Sequence, residues 1–270
     1  MDRREIAVVN QIGLALRGTA VCVWISEAFS VEAGAVHFRD IASGVWSGPP
    51  VRFNPFTNAA HAQLLRRWFN WRLALLQKVR DATSYRTLRW LQSQGAMTFA
   101  TACVDHLADT SGLTNVLYLS GRVAERRCVV CGLSLGADSS PEAMTRCPEC
   151  GGAAWPDVSM FGQNTHAEAS TLWQERLEQA TLLVQIGESY LSTPMVGGRA
   201  TLDVLANGLN WQTPESRAFL EIGSLEALLD KHAGGTPWPE GLAAKSPAGG
   251  IHRTLISLCR VLASAPFDER

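Results

Sequence analysis

Four cysteines carry the clearest chemistry in the chain. Cys128 and Cys131 form one Cys-x-x-Cys hook (CVVC), fifteen residues follow, and Cys147 and Cys150 form a second (CPEC). Two such hooks at this separation are the signature of a zinc ribbon. Gly132 and Gly151 directly follow the hooks, where the backbone must turn tightly beneath the sulfurs, and Pro148 stiffens the second hook. Four thiolates with no histidine make a closed tetrahedral shell with no open position for water, so the expected zinc is structural rather than catalytic. In small zinc peptides the apparent binding energy is about 10–16 kcal/mol, enough to decide whether so small a module folds. Two disulfides in a secreted loop are the competing reading, and no other feature of the chain looks secreted.

A second candidate is the pair Cys103 and His106, three residues apart after an apolar run. A Cys/His pair can generate a thiolate nucleophile. A free cysteine at a strand end is also an ordinary small core residue, and no third orienting group is visible in sequence. His37, His61, His166, His232 and His252 are isolated.

These groups need a scaffold. The 270 residues are 46% apolar with a net charge of -1, which supplies a core for one large domain or a large and a small one and excludes a broad nucleic-acid footprint. No apolar run approaches a membrane span. Arg17 and the strand pattern after it argue against a signal peptide, and the three scattered cysteines Cys22, Cys103 and Cys259 suit a reducing cytoplasm. Apolar spacing predicts helices over 6–17, 57–80, 83–94, 167–180, 215–231 and 251–263. Short apolar runs predict strands over 19–25, 97–104, 115–120, 181–187 and 200–206. The stretch 26–46 lacks a period and reads as a loop, as does the Gly/Pro/Ala-rich 234–250. Strands separated by helices predict a parallel sheet with right-handed crossovers, an α/β class. Trp68 and Trp71 either pack beneath the ribbon or mark an exposed aromatic pair.

Taken in order, a series of strings resembles the sirtuin (Sir2) family of NAD-dependent protein deacylases. VEAGAVHFRD at 31–40 resembles A-E-S-G-I-P-x-F-R, GVWS at 44–47 the family's G-L-W, and WFNWR at 68–72 its F-Y-x-x-R. TACVDHL at 101–107 resembles T-Q-N-V-D-G-L, and NVLYLSG at 115–121 resembles N-V-x-x-L-H-G, which leads into the ribbon there as here. WPDVSMFGQ at 155–163 resembles R-P-D-V-V-W-F-G-E, IGESYLSTPM at 186–195 resembles V-G-T-S-x-x-V-x-P, and PAGG at 247–250 the late G-x-A-G. The resemblance implies a Rossmann-like parallel-sheet large domain from 1–40, 82–124 and 160–270. It implies a small domain made of a helical module, 41–81, and a zinc ribbon, 125–159. NAD and an acyl-lysine peptide would meet between them.

The departures fall on the chemistry. The family histidine that serves as general base corresponds to Ser120, whose neutral hydroxyl does not accept a proton near neutral pH. The Gln-Asn pair becomes Ala102 and Cys103, and G-A-G-I-S becomes Ser26-Glu27-Ala28-Phe29-Ser30, so both glycines of the phosphate turn are gone. Glu27 and Glu188 add like charge where a dinucleotide would lie, and Phe29 fills the floor. Arg39, Asp105, Ser189 and Asn207 would be the surviving NAD contacts if NAD binds. Phe161 and Gly162 match the loop that pairs a peptide strand through backbone hydrogen bonds, a mode that can outlive catalysis. Phe69 and Arg72 fall where deacylases of acidic acyl groups read a carboxylate with Tyr and Arg; Arg72 is otherwise an ordinary surface arginine. The expectation is a catalytically degenerate, zinc-holding protein or peptide binder with weak or no NAD binding. The alternative is an NAD-dependent protein-modifying enzyme (ADP-ribosyltransferase or deacylase) with a rearranged site. An imidazole brought beside residue 120 from elsewhere in the fold would favour that alternative.

Overall fold

The computed structural model describes residues 3–18, 20–35, 59–77, 79, 83–137, 146–159, 166–187, 199–232 and 250–264. The first strand sets the architecture. β1 (Val21–Ile25) is buried at every position. Val21, Val23 and Ile25 enter the main core, while Cys22 and Trp24 enter a second cluster with Ala100, Trp173, Leu177, Ala180 and Leu183. A strand whose alternate side chains feed two layers is central and covered on both faces, which is why TAVCVWI shows no polar alternation.

Around it lies a seven-stranded sheet in the order β10 (Arg217–Glu221), β9 (Gly208–Gln212), β8 (Ala200–Leu205), β7 (Leu182–Ile186), β1, β2 (Met97–Thr101) and β3 (Val116–Tyr118). β2 and β3 extend it on one side, β7 and β8 on the other, all parallel. The chain therefore leaves β1 in one direction and later returns in the other. The carboxyl ends of β1 and β7 form the switch point at which open α/β sheets bind ligands. α6 (Ala167–Gln179) covers one face through Trp173 and Leu177. α1 (Arg3–Leu16), α4 (Thr83–Gln92), α7 (Ile222–His232) and α8 (Gly250–Ser264) contribute to the main core on the other.

The expected elements agree with these bounds except in two places. Residues 208–212 form β9 and 217–221 form β10, both antiparallel, so the sheet is mixed and the helix expected from 215 begins only at Ile222. Ala206 and Asn207 make the two-residue turn between β8 and β9. Within 26–46, Glu27–Glu32 forms a short helix, α2. A further short helix, α5 (Leu107–Thr110), follows β2.

The remaining strands make a separate three-stranded antiparallel sheet, β5 (Ser134–Ala137), β4 (Gly121–Cys128) and β6 (Ala154–Val158), in the order β5-β4-β6. β4 leads straight from the end of the large sheet into the first cysteine hook. α3 (Ala59–Leu76) joins the main core through Trp68, Phe69, Leu73 and Leu76. Trp68 is buried but Trp71 is 42% exposed, so the two tryptophans part company instead of acting as a pair. No described helix is long and apolar enough to cross a membrane.

Candidate functional site

The four cysteine sulfurs lie within 4.8 Å of one another. Cys128 and Cys150 Sγ are 3.5 Å apart, and Cys131 and Cys147 Sγ 3.7 Å. Zinc–thiolate bonds of about 2.3 Å place tetrahedral sulfurs about 3.8 Å apart, whereas a disulfide needs about 2.05 Å. The pairwise-disulfide alternative is therefore not what the geometry holds. Each hook is a knuckle of the same build. Gly132 N–H donates to Cys128 O at 3.0 Å and Gly151 N–H to Cys147 O at 3.0 Å. Both glycines sit at positive φ, +72° and +69°, with open space where a Cβ would be. Glycine is required there for its backbone and not for room. Backbone N–H groups of Val130 and Cys131 face Cys128 Sγ at 3.4 and 3.5 Å, the polarity a thiolate calls for.

The second concentration of polar groups lies past the carboxyl ends of β1 and β2. Asp105 is 2% exposed; its Oδ1 accepts Leu107 N–H at 3.1 Å. Burial raises its pKa, opposed by the Leu107 amide, the Ser30 hydroxyl and the Arg72 charge. Arg72 is itself 2% exposed, with its guanidinium 5.3 Å from the Trp68 ring centroid. Burial pulls its pKa down while Asp105, Glu27 and Cys103 raise it. The surface-arginine reading of Arg72 is thereby corrected. Helix α3 turns this residue inward, and its charge is answered by carboxylates on two other elements.

Cys103 is 5% exposed, and burial, then Asp105, pushes its thiol up to about 12. Burial also lowers His106. Buried in this way, Cys103 fits the small-core-residue reading better than the nucleophile reading.

Phe29 occupies the middle of the neighbouring layer, fully buried, with ring centroids 5.0 Å from Tyr85 and 4.4 Å from His252. His252 is a buried residue that the sequence did not single out. Its Nε2 lies 2.9 Å from Phe29 O, which only accepts, so Nε2 carries the proton; its Nδ1 faces Ser84 Oγ at 2.5 Å and takes that hydroxyl's hydrogen. Ser30 and Tyr85 hydroxyls meet at 2.7 Å. Glu32 completes the array by capping α8: its carboxylate oxygens accept Ile251 N–H and His252 N–H, each at 3.0 Å. Gly250, at φ +72°, leaves the room, since a Cβ there would lie 2.1 Å from Glu32 Oε1. The acid lies in the VEAG string and the glycine in PAGG, so both ends of this contact were in view, but their pairing was not.

At the switch point the ends of β1 and β7 are drawn together. Ser26 N–H donates to Ile186 O at 3.0 Å. A Cβ on Gly187 (φ +86°) would fall 2.1 Å from Ser26 Oγ. Glu27 then occupies the first turn of α2. Asn207 lies exposed just beyond β8, on the same edge of the sheet.

Ser120 precedes β4, and its carbonyl accepts Ser159 N–H at 2.8 Å. An imidazole stands beside the next residue, Gly121. His166, at the start of α6, packs against Gly121: a Cβ on that glycine would lie 2.3 Å from His166 Nε2 and 1.9 Å from Asp157 O. The same nitrogen is 3.5 Å from Asp157 Oδ1, whose carboxylate also receives Arg127 through Nε and Nη2 at 2.9 Å each. Sequence distance from residue 120 gave no hint of this. Arg39, Phe161, Gly162, Glu188 and Ser189 lie outside the described residues.

A family model described as the Sir2 family matches residues 28–194. An NAD-dependent protein deacylase 2 of Corynebacterium efficiens is 26% identical over 215 residues, covering 75% of this chain and 83% of its own. An NAD-dependent protein deacylase of Mycobacterium tuberculosis is 28% identical over 190 residues, covering 66% and 78%. Among solved structures, a Sir2 homologue in complex with NAD superposes with a TM-score of 0.60 at 21% identity, covering 75% of this chain and 82% of that one. At that identity the likeness speaks for the fold.

Proposed function

The chain belongs to the Sir2 family, and from that premise we propose that it is a zinc-stapled protein or peptide binder of the sirtuin fold that does not deacylate and holds NAD weakly or not at all. The observation carrying this reading is the start of α2. A pyrophosphate at a switch point is held by bare backbone N–H groups on a glycine turn. Here the hydroxyl of Ser26 is wedged against Gly187 and the Glu27 side chain opens the helix. A carboxylate beside a dianionic ligand is repulsive, and more so in a partly desolvated cleft. Ser120 supplies no base, a loss worth about 10²–10⁴ in rate where one is needed. The partner's place in this reading is the backbone of the Phe161-Gly162 segment. Arg39, Asp105, Ser189 and Asn207 are the contacts NAD would have to use. Titration calorimetry with NAD at about millimolar concentration, followed by assay of released nicotinamide, is expected to show neither saturable heat nor release.

One observation favours a second reading, an NAD-dependent protein-modifying enzyme with a rearranged site. His166 brings an imidazole to Gly121, with Asp157 beside its Nε2. At 3.5 Å the Asp157 carboxylate is within ion-pair reach of that nitrogen, which makes no hydrogen bond of its own among the described residues. Label transfer from NAD to any protein in a lysate, abolished by His166→Ala, would establish this second reading and end the first.

A further inference from the structure

The far edge of the large sheet is formed by β10, Arg217–Glu221, and no other described strand pairs with its outer side. The phase of its hydrogen bonds is fixed by two contacts in register with the β9–β10 ladder. Thr213 N–H donates to Ser216 O at 2.8 Å at one end, and Ile222 N–H to Asn207 O at 3.0 Å at the other. In an antiparallel ladder hydrogen-bonded and non-bonded pairs alternate. Ala218 and Leu220 therefore spend their N–H and C=O groups on β9. Arg217 and Phe219 point theirs outward from the sheet, as does the N–H of Glu221, whose carbonyl serves the first turn of α7.

The side chains of the same three residues share one face, opposite buried Leu220. Phe219 is 49% exposed, and Arg217 and Glu221 are exposed with no ion-pair partner among the described residues. Sheet edges are normally blunted by very short strands, charged side chains, bulges or proline. This short edge carries one charge of each sign, placed symmetrically about a large aromatic.

We propose that β10 is a self-complementary docking edge that pairs antiparallel with β10 of a second copy of this chain about a two-fold axis through Phe219. In that register Phe219 faces Phe219 of the second copy, and Arg217 faces Glu221 in both directions. All three pairs fall in the hydrogen-bonded phase: the Phe219 pair can make both bonds, and each Arg217–Glu221 pair the one from Glu221 N–H to Arg217 O. The charge order R-A-F-L-E reads as its own complement when reversed, the condition an isologous interface imposes. Cross-strand aromatic and opposite-charge pairs are the stabilising units of such a ladder. A single strand edge buries less surface than a standard interface, so the association is weak and rises with concentration.

Sedimentation equilibrium of the full chain over a concentration series, with amide exchange read at Phe219, tests this. The expected result is a mass rising toward the dimer while the Phe219 amide gains protection. Phe219→Pro removes the outward N–H without touching the β9 ladder and should hold the chain monomeric. Arg217→Glu or Glu221→Arg alone sets like charges opposite each other twice per dimer and should raise the dissociation constant about tenfold or more. The double variant Arg217→Glu/Glu221→Arg restores opposite charges and should restore the dimer, which keeps the test readable if Phe219→Pro fails to fold. A chain monomeric at every concentration, a dimer indifferent to these substitutions, or Phe219 protection that requires a different protein would overturn the proposal.

Discussion

In the ribbon, the groups that matter come from two hooks of four residues each, repeated nearly atom for atom, with open space around their glycines. At the carboxyl edge of the large sheet they come from α2, α3, α4, α8 and the segment after β2, and their glycines are hemmed in by other side chains. The first region is set by four sulfurs from two hooks. The second is held by contacts of Phe29, His252 and Glu32 that join distant parts of the chain. A metal shell tolerates no substitution because each thiolate is a bond. The sheet edge satisfies some of its buried polar groups internally, as at His252 and Glu32, and leaves Ser26 Oγ and Asp105 Oδ2 without a hydrogen bond among the described residues.

Metal removal should separate the two regions most sharply. Binding worth about 10–16 kcal/mol in zinc peptides underlies the ribbon's fold. A strong chelator, or Cys128→Ser, should strip amide protection from β4, β5 and β6 while β1 and β7 keep theirs, as hydrogen exchange will show. Loss of protection throughout would mean that the two regions fold as one.

Next in size is Arg72→Ala, which removes a buried charge that favours the ionised form of Asp105. Removing one of two interacting buried charges costs up to about 3–5 kcal/mol, measurable by urea unfolding. Asp105→Asn in the same background should recover part of that loss.

A smaller effect comes from His252. Burial lowers its pKa below the ordinary 6.5. The unfolded chain therefore binds a proton that the folded chain refuses. Its contribution to stability is whole above pH 6.5 and is lost as the pH falls from there through the folded value. Asp105, with its pKa raised, acts in the opposite sense: stability falls as pH rises from the ordinary carboxylate range through its folded value. Chemical denaturation between pH 5 and 7 (roughly the histidine window) should show a positive slope that His252→Asn flattens. An unchanged slope would place the titration elsewhere.

The smallest change expected is Val130→Ser at the ribbon tip, where the residue is 70% exposed. A thermal melt should move by no more than about 0.5 kcal/mol in stability. A larger loss would mean that apolar packing, and not the metal alone, holds the knuckle.

What the chain states locally could be read from it directly. The cysteine spacing names the metal shell, because ligands a few residues apart on a tight turn converge whatever surrounds them. TAVCVWI names the central strand, because only burial on both faces removes polar alternation. The order of family strings names the sheet and the ribbon. Other features join residues far apart. His252 meets Ser84 across 168 positions and Phe29 across 223, and Glu32 meets Ile251 across 219. Arg72 looks like any charge on a helix until packing turns it inward, and His166 looks solitary until α6 carries it to Gly121. Periodicity and spacing report what neighbours along the chain share. Which distant side chains answer one another is settled only when the layers close, since the cost of burying a charge or a hydroxyl depends on the partner it finds there.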